Sequence, residues 1–267
     1  MQKTILITGS TDGIGLETAK TLFKQGHHVI LHGRNPEKLE TVVKQLSGLA
    51  KDGYIESYVA DLSRLPDVET LAKAVIEKHN TLDVLINNAG VYKTPEPITT
   101  DGLDVRFVVN TIAPYLLTQR LLPLLGTSGR VINLSSAAQS PVDIKALIGE
   151  SRVGDMEAYS QSKLAITMWS HSLALSLKDK GPIIIAVNPG SLLATKMVKE
   201  GFGMAGHDIR IGADILIRLA LSDEFSTASG KYFDNDSGQL ALPHADVMDQ
   251  KKSEKVVDAI ESVLGLQ

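Results

Sequence analysis

Short apolar runs alternate with helix-period segments along almost the whole chain, and this alternation restricts the fold more than any other feature. Thr4–Thr8, His28–Leu31, Ser57–Ala60, Val84–Asn87, Arg130–Leu134 and Ile183–Asn188 are mostly apolar and only a few residues long, as buried strands are. Between them, Glu17–Gln25, Pro36–Leu46 and Pro66–His79 carry helical periodicity. Asn35 is placed to cap the second of these, with Pro36 in its first turn, and Pro66 repeats the device in the third. Strands that alternate with helices connect by right-handed crossovers into a parallel sheet covered on both faces. Strands covered on both faces are apolar throughout rather than alternating, as these are. The expected fold class is α/β: one doubly wound domain over residues 1–267, with a parallel sheet of about seven strands. A helix near Asp246–Leu264 closes the chain.

Composition then removes whole classes of function. A chain of 267 residues buries roughly three quarters of its unfolded surface and needs no covalent staple. It has no cysteine, which excludes disulfide scaffolds, thiolate metal sites and thiol nucleophiles. With 27 Lys+Arg against 31 Asp+Glu, it lacks the basic footprint of a nucleic-acid binder. No stretch approaches the roughly 20 apolar residues of a membrane span; IIIAVNPGSLLA is cut by Pro189 and Gly190. The opening MQKTILITGSTDGIG has too short an apolar core for a secretory signal. The expectation is a cytoplasmic protein with no nucleic-acid partner and no membrane span. His244 and the His27–His28 pair have no partners at metal-ligand spacing, so they read as structural and no metal site is expected.

The first strand runs into Thr8-Gly9-Ser10-Thr11-Asp12-Gly13-Ile14-Gly15, and a helix follows at once. Glycines let backbone N–H groups approach a pyrophosphate, which sits at the positive N-terminus of the helix. The GxxxGxG spacing is wider in its first gap than the common GxGxxG fingerprint. The second strand ends His32-Gly33-Arg34. Enzymes that prefer NAD place an acid here for the ribose 2′-hydroxyl, whereas Arg34 can grip a 2′-phosphate through paired, charge-assisted hydrogen bonds. The expected cofactor is NADP(H), with NAD(H) possible. At the end of the third strand, the Asp61 carboxylate can accept from the adenine amino group while Leu62 offers an apolar contact. The alternative for Asp61 is an N-cap on the helix that follows.

Tyr159-Ser160-Gln161-Ser162-Lys163 places a phenol and an ammonium four residues apart, on one helix face. A free phenol has a pKa near 10, and a neighbouring ammonium favours the phenolate, bringing the group toward the working range of an acid/base. A serine hydroxyl at the end of the fifth strand, Ser135 or Ser136, could polarise a substrate carbonyl.

These strings, in this order, resemble the short-chain dehydrogenase/reductases, nearest in pattern to the retinol-dehydrogenase-like and protochlorophyllide-reductase-like members. TGSTDGIG looks like the family's TGxxxGIG cofactor turn, Asn87-Asn88-Ala89-Gly90 its NNAG, and YSQSK its YxxSK. The resemblance implies that Gly9, Ser10, Thr11, Gly13, Ile14 and Gly15 hold the cofactor. Asn87 would brace the sheet, while Asn88, Ala89 and Gly90 line the ribose. Family register selects Ser136 over Ser135, makes Asn110 the anchor of a proton-relay water, and gives Lys163 a second role on the nicotinamide ribose. Pro189 and Gly190 match the family's PG turn. The threonine expected to meet the nicotinamide carboxamide falls one residue late, at Thr195, with Ser191 as the alternative. Asp12 departs from NADP-dependent relatives that carry a basic residue in the glycine turn. Relatives assemble through their long helices, which implies a homodimer or homotetramer.

The implied activity is interconversion of a small-molecule carbonyl and an alcohol by hydride transfer, with Tyr159 as general acid/base. The competing reading is a non-catalytic NADP(H)-sensing regulator on the same fold; such proteins usually lose the Tyr or the Lys, and this chain keeps both. Two segments are expected to set the substrate: residues 137–157, about ten longer than in the simplest relatives, and residues 195–208, a glycine-punctuated lid or surface loop. Tyr92, Phe202 and Met204 are candidate pocket residues for an apolar substrate. Trp169 is assigned to the core or to a subunit interface.

Overall fold

The computed structural model describes residues 1–49 and 53–266. The first half runs β1 (Thr4–Ile7), α1 (Gly13–Lys24), β2 (His28–Gly33), α2 (Pro36–Ser47), β3 (Tyr54–Val59), α3 (Leu65–Lys78) and β4 (Val84–Asn87). Then follow α4 (Val105–Phe107), a π-helical segment (Val108–Ile112), α5 (Ala113–Leu125), β5 (Arg130–Leu134), α6 (Ile144–Leu147), α7 (Asp155–Leu177) and β6 (Ile183–Asn188). The chain closes with α8 (Lys196–Phe202), α9 (Arg210–Leu221), β7 (Tyr232–Asp234), β8 (Gln239–Ala241), α10 (Ala245–Met248) and α11 (Gln250–Leu264).

One sheet carries the order β3-β2-β1-β4-β5-β6-β7-β8. All pairings are parallel except the last, where β8 returns antiparallel to β7. The seven expected parallel strands are therefore present, and an eighth, three-residue strand adds a hairpin at the edge. Gln239 and Leu240 are exposed, so β8 has no apolar run to mark it in the sequence. The strand expected over Ser57–Ala60 begins three residues earlier, because edge strand β3 keeps Tyr54 exposed and mixes polar with apolar side chains. The single C-terminal helix divides into α10 and α11, where Asp249 leaves the helical region and caps α11 through its bond from the Lys252 N–H.

Two apolar layers flank the sheet. One packs α3, α5, α7 and α11 on the face that carries Leu6, Ile30 and Leu85; the other packs α1, α2 and α9 on the face that carries Ile5, Leu31 and Ile86. Trp169 of α7 is fully buried in the first layer, edge-on to Tyr115 at 5.4 Å between ring centres. Of the two places open to it, it takes the core. No helix among the described residues is long and apolar enough to cross a membrane.

The order reverses between β1 and β4, which sit side by side while β2 and β3 continue one way and β5 onward the other. Loops that leave the C-terminal ends of β1 and β4 must diverge there, and a doubly wound sheet opens its ligand crevice at this point.

Candidate active site

A cavity of about 910 Å³ occupies the reversal, within the range of small-molecule sites. Its floor is the glycine turn, built by close backbone approach. A Cβ on Gly9 would stand 2.8 Å from Ala89 Cα, and one on Gly15 would stand 2.4 Å from both Asn88 Nδ2 and Gly9 O. Asn88 Nδ2 donates to Thr8 O at 2.8 Å and to Gly9 O at 3.0 Å, while the Thr8 hydroxyl accepts from the Asn88 and Ala89 N–H groups. The loops after β1 and β4 are thus laced together, which leaves the N-terminus of α1 facing the cavity. Asp12 caps that helix through the Gly13 N–H at 2.7 Å. This gives the departure at Asp12 a local structural role.

The cavity wall includes Gly9, Thr11, Gly13 and Ile14 but not Ser10 or Gly15. Ser10 is fully buried, with its hydroxyl exchanging bonds with the His32 backbone, and Gly15 provides the room for Asn88. His32, a residue with no local motif to mark it, completes the turn. Its Nδ1 accepts the Gly9 N–H at 3.1 Å and its Nε2 pairs with Ala60 O at 3.1 Å. Only the neutral ring can make both bonds, and burial pushes its pKa down to about 4.

Arg34 lies at the end of β2 on the cavity rim beside Asn35 and Lys38. Asn35 caps α2 by accepting from the Lys38 N–H at 2.9 Å. The rim therefore combines two cations with a helix N-terminus, all favourable to a phosphate. Lys38 was not selected from sequence; it stands one helical turn after Arg34. Asp61 and Leu62 also line the cavity. Asp61 accepts from the Ser63 N–H and hydroxyl, whereas the N-cap of α3 is Arg64, so Asp61 is not the helix cap.

At the other end, Ser136, Tyr159 and Lys163 come together with Asn88, Ala89 and Gly90. Lys163 donates to Leu134 O at 2.7 Å, and its ammonium lies 5.7 Å from the centre of the Tyr159 ring. Ser135 turns away: its hydroxyl is buried against Lys163 O and Thr167 Oγ1, both at 2.8 Å. That leaves Ser136 as the serine facing the phenol. Burial pushes the Tyr159 pKa up, a hydrogen bond with Ser136 pulls it down by less, and Tyr92 pushes it up further. The expected lowering by Lys163 is absent from this balance; Lys163 is itself pushed down to about 8 by burial.

Asn110 sits in the π-helical segment, a distortion common at functional sites. Its side chain accepts from the Val91 N–H at 2.8 Å and donates to Val91 O and Ser162 Oγ, both at 2.9 Å. These bonds tie the loop after β4 to α7 beside Tyr159, so the amide group is engaged with protein partners. Asn87 donates to Asn133 Oδ1 and Thr118 Oγ1, bracing β4 against β5 and α5. Arg106, also unselected from sequence, is buried between Asp104 and Asp155. It fixes the first turn of α7, one turn before Tyr159.

Beyond β6, Pro189, Gly190, Ser191 and Thr195 line the cavity. Ser191 is held by Asp236 through both its N–H and its hydroxyl, and Thr195 caps α8 by accepting from the Val198 N–H. Leu192 between them takes φ 53°, an uncommon region for a branched side chain. Helix α8 closes over Tyr92, whose ring a Cβ on Gly201 would approach to 2.7 Å. Tyr92 meets Tyr159 edge-on at 5.3 Å. Met204 points outward, 49% exposed and away from the cavity, so its selection as a pocket residue is corrected. The Phe202 side chain lies outside what is described. Val109, Met156, Met197 and Val198 supply the apolar wall instead. In residues 137–157, α6 buries Ala146 and Leu147 in the core, and Ala137, Ala138 and Met156 reach the cavity.

The comparisons with known proteins agree with this geometry. The profile of the short chain dehydrogenase family matches residues 3–206. Human retinol dehydrogenase 13 is 32% identical over 263 residues, covering 91% of this chain and 80% of that protein. A solved structure from Mycobacterium paratuberculosis superposes with a TM-score of 0.80 at 27% identity, covering 99% of this chain and 94% of that one. A short chain dehydrogenase from Shigella flexneri, solved with NADP, superposes with a TM-score of 0.68 at 27% identity, covering 88% of this chain and 97% of that one. With the family profile matched over three quarters of its length and the family's motifs gathered around one cavity, the chain belongs to the short-chain dehydrogenase family.

Proposed function

We propose that this chain is an NADP(H)-dependent oxidoreductase that interconverts an apolar carbonyl compound and its alcohol. One observation carries the reading: a single cavity has Arg34 and Lys38 at one end and Ser136, Tyr159 and Lys163 at the other. The first pair suits a 2′-phosphate, and the second group suits a carbonyl oxygen that becomes an alkoxide. The floor fits a dinucleotide as well, because Gly9 leaves no room for a side chain beside Ala89 and the N-terminus of α1 faces the cavity. The relatives point the same way, one named a retinol dehydrogenase and one solved with NADP.

When bound, the cofactor supplies the hydride. The protein's own part is to place and protonate the substrate. The Ser136 hydroxyl, whose oxygen accepts the Ala138 N–H at 3.1 Å and which stands against Tyr159, is placed to polarise a substrate carbonyl with its proton. Tyr159, held protonated at neutral pH by burial, donates its proton to that oxygen as charge builds on it. Lys163 is anchored on Leu134 O and adjoins Gly90, so its remaining donors can reach a ribose. Tyr92, Met156 and Met197 present an apolar surface beside the reacting end, which favours a hydrophobic carbonyl and excludes water.

The test is loss of NADPH absorbance in the presence of a panel of aldehydes, ketones and quinones of increasing apolar bulk. Turnover that improves with apolar bulk and prefers NADPH to NADH is the expected result. Tight NADPH binding with no turnover of any carbonyl would favour the sensor reading instead.

A further inference from the structure

At the opposite end of the strands from the cavity, a second group of side chains converges that the oxidoreductase chemistry does not use. His28 opens β2, Glu56 lies in β3, and His79 ends α3 as its C-cap residue. Strand register places Glu56 beside Ile30, so His28, two residues before Ile30, and Glu56 project from the same face of the sheet. The end of α3 brings His79 down onto that face. The expectation that His28 lacks partners therefore fails in three dimensions. Its partners are 28 and 51 residues away, a spacing with no local sequence signature.

The donor atoms have the spacing of a coordination sphere. His28 Nε2 lies 3.2 Å from Glu56 Oε1, and His79 Nε2 lies 3.2 Å from Glu56 Oε2. One ligand atom from each residue fits within 4.8 Å of the others. Zinc bound at about 2.05 Å by nitrogen and oxygen sets its tetrahedral ligands about 3.3 Å apart. Each imidazole nitrogen stands at that spacing from one oxygen of the carboxylate, His28 from Oε1 and His79 from Oε2, so the carboxylate lies between the two rings and a small rotation of its plane or of an imidazole gathers the three donors around one ion. His28 Nε2 is buried 3.2 Å from Glu56 Oε1 but is not aligned for a well-formed hydrogen bond. A buried polar atom left so poorly satisfied is costly, and an ion between the two groups would relieve it. Tyr58 donates to Glu56 Oε2 at 3.3 Å, an outer contact of the kind that orients a metal-binding carboxylate. The Lys78 ammonium also reaches Glu56, at 3.1 Å, but its side chain is half exposed and can swing into solvent.

We propose that His28, Glu56 and His79 form a binding site for a zinc-class divalent cation, with water completing the sphere. Two imidazoles and one carboxylate are the donor set that zinc and its neighbours accept. The ion ties the edge strand β3 and the start of β2 to the end of α3, and so acts on stability and not on hydride transfer.

Chelator-treated protein titrated with Zn²⁺ in a calorimeter tests this, with Co²⁺ absorption as a second readout. The expected result is one Zn²⁺ per chain, a higher Tm with the metal, and a four- or five-coordinate Co²⁺ spectrum. His28→Ala should abolish the binding and His79→Gln should weaken it at least tenfold, both with unchanged NADPH binding. No stoichiometric binding, or equal affinity in wild type and both variants, would show an ion-pair cluster only. If the variants do not fold, the wild-type Co²⁺ spectrum decides alone: a weak octahedral spectrum overturns the site.

Discussion

The Nδ1 atom of His32 accepts the N–H of Gly9 at 3.1 Å, so a buried imidazole at the end of one strand fixes the cofactor turn at the end of its neighbour. Protonation would destroy that acceptor, and burial resists it by pushing the pKa from 6.5 to about 4. The folded state binds this proton less readily than the unfolded chain. The contribution is therefore complete above the unfolded value and fades as pH falls toward 4, where the cost reaches about 3 kcal/mol. His32→Asn keeps an acceptor near the same place and does not titrate. Urea midpoints at neutral and mildly acidic pH should fall further for wild type than for the variant; equal falls would remove His32 from the account.

Arg34 and Lys38 share the cavity rim with the N-terminus of α2. Arg34→Glu replaces an attraction for a 2′-phosphate with repulsion. Hydrogen bonds to charged groups contribute about 1.5–3 kcal/mol, so NADPH should bind roughly ten- to a hundredfold more weakly while NADH changes little. Lys38→Gln should give a smaller loss in the same direction. Dissociation constants from cofactor fluorescence check both.

Adjacent serines should behave differently. Ser136→Ala removes the hydroxyl that faces Tyr159 and should lower kcat by roughly 10²-fold or more, as loss of one oxyanion donor does, with little change in Tm. Ser135→Ala removes a buried hydroxyl that binds Lys163 O and Thr167. It should cost about 1 kcal/mol of stability and affect kcat through the placement of Lys163. Paired kinetics and thermal melts separate the two outcomes.

Gly15→Ala introduces a Cβ 2.4 Å from Asn88 Nδ2 and Gly9 O. Neither can retreat without breaking the lacing of the two loops, so overpacking of about 1–3 kcal/mol is expected. NADPH affinity should fall with it, although Gly15 does not line the cavity. Denaturant unfolding and a binding titration on the same preparation check both effects.

Much of this organisation is legible in the sequence because the signals are local. The apolar runs of β1, β4, β5 and β6 are buried on both faces and stand out as continuous stretches. Tyr159 and Lys163 lie four residues apart on one helix, so their convergence needs no tertiary information. What escaped depends on distant pairings. His32 acquires its meaning from Gly9 and Ala60, Arg106 from Asp155, and His28 from Glu56 and His79. Ser10 and Gly15 belong to the right motif, but a motif does not say which of its residues face the ligand and which shape the turn from behind. Met204 is apolar and adjacent to the lid, yet it follows the left-handed Gly203 that ends α8 and stands half exposed.

In the proposed reaction Tyr159 supplies the proton during hydride transfer at this cavity. Its most direct test is a single-turnover reaction of NADPH with a carbonyl substrate taken from the panel, in wild type and Tyr159→Phe, alongside the NADPH dissociation constant. The expected result is a loss of roughly 10²–10⁴-fold in the transfer rate, the usual contribution of a positioned general acid, with cofactor affinity nearly unchanged. A variant that transfers hydride at close to the wild-type rate would contradict it.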